Sequence, residues 1–137
     1  DIIHCNGWMA NLLPVYLKDV YKDDPYFANS KVVCSLYDEG FEGSLDPRMA
    51  QKIAVDGVKK ESIATIEDPT FNNLNALAIE HADGLIVGSE DLDPQSLELI
   101  ESRDVPTMRY HGEEGYVADI NNFYDTILEG KTEAVAE

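Results

Sequence analysis

The sequence predicts an α/β domain built on an open, mostly parallel sheet with helices on both faces. Two observations carry this. Four short apolar runs are spread along the chain, and between them apolar residues recur at three and four positions, the spacing of one helix face. At 137 residues the chain falls in the commonest size range of one compact domain and can bury a core without disulfides or metal.

The four expected strands are Asp1 to Cys5, Lys31 to Tyr37, Gly84 to Ser89 and Thr107 to Tyr110. After the first strand, Asn6 and Gly7 make a turn with Asn6 placed to cap a helix. Leu12, Leu13, Tyr16, Leu17, Val20 and Tyr21 then share one face, and Pro14 limits or kinks the first turn. Lys22 to Ser30 has loop composition. From Asp38 to Pro69 the pattern is weak: a polar, glycine-containing turn leads into short helical stretches, an insertion between two core units. Helical spacing returns at Thr70, with Leu74, Leu77, Ala78 and Ala82 on one stripe before the third strand. Asp93-Pro94 is a cap and first-turn pair, and Leu97 and Ile100 carry that helix inward. The last helix repeats Val117, Ile120, Phe123, Tyr124, Ile127 and Leu128 at three and four and stops at Gly130. Residues 1–130 are thus expected to form one α/β domain and 131–137 a flexible tail. The chain starts inside a strand, so a native N-terminus upstream of Asp1 is expected.

Ten Lys and Arg stand against 27 Asp and Glu, for a formal charge of −17 and a pI near 4.3. Such a chain has no basic face to neutralise phosphates, which argues against nucleic acid and against an anionic membrane surface. No apolar run approaches the roughly 18 to 20 residues that span a bilayer, and a cytoplasmic protein is expected. Cys5 and Cys34 fall inside expected strands, where a free thiol serves as a small hydrophobe. His4, His81 and His111 are scattered, and without a His/Cys cluster no metal is expected.

In an open parallel sheet the turns at the carboxyl ends of strands are where ligands bind. The first turn offers Asn6, Gly7, Trp8 and Met9. Its amides can face an anion or sugar hydroxyls, and Trp8 can stack on a sugar ring or pack the helix onto the sheet. The second turn offers Tyr37, Asp38, Glu39 and Gly40, and the third Gly88, Ser89, Glu90 and Asp91. The GxGxxG, GxxxxGK[ST] and GxSxG patterns are all absent, which leaves dinucleotide, P-loop and nucleophile-elbow chemistry without support.

The stretch from Asp1 to Lys18, DIIHCNGWMANLLPVYLK, resembles DVVHxHxWHxxLxPxYL of bacterial glycogen and starch synthases, keeping His4, Trp8, Leu13, Pro14, Tyr16 and Leu17. Val33 to Gly43 is similar to that family's VFTxHNLAYQG, and Ala82 to Ser89 looks like its ADxxxxVS. The resemblance spans roughly residues 1 to 92. It implies the Rossmann-like N-terminal domain of a GT-B glycosyltransferase, of which this chain would be the C-terminal portion. It further implies glucosyl transfer from ADP- or UDP-glucose to an α-1,4-glucan, with no cofactor or metal. The family's first-turn histidines are replaced by Asn6 and Met9, and its second-turn His-Asn by Tyr37 and Asp38. Its Lys-x-Gly-Gly loop would lie upstream of Asp1. The chain alone is therefore expected to be inactive, with no catalytic residue of its own. Asn6, Trp8, Met9, Tyr37, Asp38 and Gly40 are the expected substrate-binding positions. The alternative is a non-catalytic glucan-binding or regulatory module on the same scaffold, and a third reading is an unrelated flavodoxin-like domain. Expected partners are an α-glucan, a nucleotide sugar, and a second copy of the chain through the exposed edge at Asp1 to Cys5.

Overall fold

A computed structural model of the chain describes residues 1–130. Four parallel strands, β1 (Ile2–Asn6), β2 (Lys31–Leu36), β3 (Gly84–Val87) and β4 (Thr107–Met108), lie side by side in chain order. Each begins within one residue of its expected position, and the expected tail at 131–137 lies outside the described residues. β2 and β3 read as continuous apolar runs because helices cover both their faces.

Strand alternation sorts the core. Cys5, Val32, Cys34, Leu36, Leu85 and Val87 point to one face, where they meet Ala78, Ile79, Leu92 and Ile100. Val33, Ile86 and Met108 point to the other, where they meet Phe123 and Ile127. Each crossover steps one strand in the same direction, and right-handed crossovers of that kind stack their helices on a single face. The helices α4 (Phe71–His81) and α5 (Pro94–Ser102) accordingly lie on the first face. The second is closed by α6 (Tyr116–Leu128), which follows β4. Thr70 and Asp93 cap α4 and α5 by accepting from the amides of Asn73 and Ser96, the latter as its sequence expects.

The first helical segment departs from expectation. Asn6 ends β1 and caps nothing; the position before the first turn is Gly7, at φ 75°, in the left-handed region that glycine enters without a Cβ penalty. A 3-10 turn at Trp8–Ala10 is followed by α1 (Leu13–Val15) and a π turn at Tyr16–Val20, closed by Tyr21 N–H donating to the Tyr16 carbonyl at 2.9 Å. Pro14 sits in the first turn of α1, where its missing N–H costs nothing.

The weakly patterned stretch holds two short helices, α2 (Met49–Val55) and α3 (Lys60–Thr65). They form a second core cluster in which Ile53, Val58 and Ile66 pack on Val15, Leu74 and Leu77. The segment is thus an outer layer of the same domain. Among the described residues, no helix is long and apolar enough to cross a membrane.

Candidate functional site at the carboxyl ends of β1 and β2

The first two turns lie side by side because Asn6 and Ser35 are register partners at the ends of β1 and β2. Between them opens a cavity of about 380 Å³ lined by Asn6, Gly7, Trp8, Met9, Tyr37, Glu39 and Gly40. Five of the six residues singled out from the sequence therefore share one cavity. The Tyr37 hydroxyl donates to Asn6 Oδ1 at 3.1 Å across its wall. Trp8 leans on Phe41, with ring centroids 4.7 Å apart, and Phe41 on Phe71 at 6.1 Å. This aromatic stack backs the indole and answers the two readings of Trp8 together, since the ring both packs the turn and lines the opening. Met9 is 82% exposed, the most open apolar side chain of the first turn.

The sixth residue, Asp38, turns aside. Its backbone N–H donates to Ser89 Oγ at 3.1 Å, and Ser89 returns its hydroxyl to Asp38 Oδ1 at 2.9 Å. This pair ties the second turn to the third, and Glu39 takes the cavity wall instead. The close approach of the turns explains two glycines. A Cβ on Gly40 would stand 2.6 Å from the Phe71 ring, and one on Gly88 would stand 2.5 Å from Tyr37 and 2.9 Å from the Leu36 carbonyl.

His4 is not in the cavity. Two residues below Asn6 on the same side of β1, it lies under α6, with Nδ1 2.5 Å from the Tyr124 hydroxyl and Nε2 2.6 Å from Ser35 Oγ. Burial lowers its pKa from the ordinary 6.5, which keeps the ring neutral. Burial, with Tyr37 beside it, pushes the Tyr116 hydroxyl up to about 12. Beside the cavity, and not lining it, thus lies a network of histidine, serine and tyrosines, of which α6 supplies two members.

A larger cavity of about 680 Å³ opens at the other end of the sheet, lined by residues from four separate segments that include Lys18, Asp19, Ser62, His81 and Arg103. Its polar groups serve one another. Lys18 pairs with Asp83 at 2.6 Å, the Ser62 hydroxyl meets Asp19 at 2.9 Å, and Arg103 donates to the last carbonyls of α4. Among the described residues no cluster of His, Cys, Asp and Glu could hold a metal ion.

An open parallel sheet of four strands with helices on both faces defines a Rossmann-like α/β domain. The starch synthase catalytic domain family matches residues 1–95, and the chain belongs to that family. Glycogen synthase of Thermotoga maritima is 48% identical over 48 residues, covering 35% of this chain and 10% of that protein. Glycogen synthase of Chlorobium phaeovibrioides is 34% identical over 89 residues, covering 65% of this chain and 18% of its own length. The chain therefore matches between a tenth and a fifth of the length of these curated relatives. No solved structure matches it significantly.

Proposed function

We propose that the cavity between β1 and β2 receives an α-1,4-glucan, and that the chain is the acceptor-side part of a glycogen or starch synthase-like glycosyltransferase acting in the cytoplasm. The observation that carries this reading is the lining itself. Asn6, Tyr37 and Glu39 offer donors and acceptors for sugar hydroxyls beside the apolar surface of Trp8 and Met9, and among the described residues no Lys, Arg or His lines the cavity. A nucleotide sugar's diphosphate would meet Glu39 with no cation to offset it, so ADP- or UDP-glucose belongs to another part of a complete enzyme. On this reading the chain alone transfers no glucose, because donor and acceptor have to be held together for reaction.

Calorimetric or NMR titration with maltoheptaose tests it. Binding is expected, with Trp8→Ala weakening it about three- to tenfold, the loss of one aromatic contact. Equal affinity in wild type and Trp8→Ala overturns the assignment of the cavity. Incorporation of glucose from ADP- or UDP-glucose into glycogen by this chain alone overturns the claim of inactivity.

A further inference from the structure

The site reading leaves two buried thiols unused. Cys5 and Cys34 are register partners on β1 and β2, one position before the pair that opens the cavity, and both are free and buried. Neighbouring strands lie about 4.8 Å apart, inside the roughly 4.4 to 6.8 Å that a disulfide spans between Cα atoms. Both side chains point to the same face and belong to one apolar cluster.

We propose that Cys5 and Cys34 are a dithiol oxidised by small peroxides to a cross-strand disulfide that clamps β1 to β2 beneath the cavity. The couple is asymmetric. Cys34 lies on a strand paired on both sides and its S–H donates to the Ala78 carbonyl at 4.0 Å, whereas Cys5 lies on the edge strand with its pKa lowered by the neighbouring Cys34. Cys5 is therefore the attacking sulfur. Its thiolate attacks one peroxide oxygen and the O–O bond breaks. The leaving hydroxide takes the proton that Cys5 gave up and departs as water, leaving a sulfenic acid on Cys5. Cys34 then attacks the Cys5 sulfur, the S–O bond breaks, and the Cys34 proton leaves with the oxygen as a second water. Two thiols lose two electrons and two protons, and one hydrogen peroxide becomes two waters. Access comes from the sheet edge. Among the described residues β1 is the outermost strand, its residues Ile2 to His4 are only half-buried, and edge strands open locally at lower cost than central ones.

The experiment treats the native chain with dilute hydrogen peroxide and follows intact mass and peptide linkage without reductant. The expected product has lost two hydrogens in mass and both titratable thiols together. The peptide carrying Cys5 is joined to that carrying Cys34, and dithiothreitol reverses the change. Cys34→Ala should accumulate one added oxygen on Cys5, trapped by dimedone, whereas Cys5→Ala should leave Cys34 unoxidised over the same interval. Oxygen added independently to the two cysteines, a disulfide between chains, or thiols that stay reduced until denaturant is added overturns the proposal. If a variant fails to fold, the wild-type linkage map decides alone. None of these readouts depends on glucan binding, so this proposal and the proposed function fail separately.

Discussion

Tyr37 reaches from the end of β2 to the end of β1 and donates its hydroxyl to Asn6 Oδ1 at 3.1 Å, joining the two turns that face each other across the cavity. The bond is exposed, so its worth lies in holding geometry more than in stability. Tyr37→Phe should change unfolding free energy by no more than about 1 kcal/mol, as expected for one hydrogen bond in contact with water. The same change should weaken maltoheptaose binding by several-fold, because Asn6 loses its fixed orientation. Chemical denaturation and calorimetry on one preparation separate the two effects.

Gly88→Ala bears on the same tyrosine from behind. A Cβ there meets the Tyr37 ring and, at 2.9 Å, a backbone carbonyl that cannot rotate away. Overpacking of this kind costs about 1 to 3 kcal/mol. We expect a lower denaturation midpoint with an unchanged m-value, together with weaker glucan binding as Tyr37 is displaced.

The His4 ring predicts a pH dependence. Its folded pKa lies below 6.5 through burial, so the unfolded chain takes up a proton first and the folded state is penalised as pH falls. Stability should be level above about pH 7, decline as pH passes down through about 6.5, and level again below the folded-state value. His4→Gln should remove that slope while lowering stability at neutral pH by about 1 kcal/mol, since Tyr124 and Ser35 lose a half-buried partner. Asp46 contributes to a second loss near pH 2 to 4, because Arg48 holds its carboxylate at about 2; its share of stability is present above the ordinary carboxylate pKa and lost on protonation. Thermal unfolding across a pH series in both proteins resolves the two windows.

Phe123→Ala tests the second face of the sheet. The ring is fully buried against Val33, Ile86 and Met108, and its loss should cost about 3 to 5 kcal/mol. On a domain of this size that is a large share of total stability.

β2 and β3 were legible because strands buried on both faces are rich in apolar residues, and Gly84 to Val87 carries no polar side chain at all. α4, α5 and α6 showed because each is long enough for its period to repeat, and two carry a capping side chain. The first helical segment misled because the spacing of Leu12 to Tyr21 records which side faces the core. It does not record how each turn closes, and a 3-10 turn followed by a π turn keeps the same side inward. α2 and α3, at seven and six residues, are too short to express a period. That Asn6, Trp8 and Tyr37 would line one cavity was legible because the turns after adjacent parallel strands lie side by side. The exchange of Asp38 for Glu39 was not, since it depends on Ser89, 51 residues along the chain. The second cavity left no trace because its residues come from four unconnected segments.

The placement of α6 has a consequence for how the domain is cut. The family-matching stretch stops at residue 95, yet Phe123 and Ile127, which roof one whole side of the sheet, lie beyond it. A boundary drawn by likeness would strip Val33 and Ile86 to solvent and take Tyr116 and Tyr124 from beside the site. The stretch matched by likeness and the packed core of the described residues end at different places, and an excised piece that keeps this core has to run through Leu128.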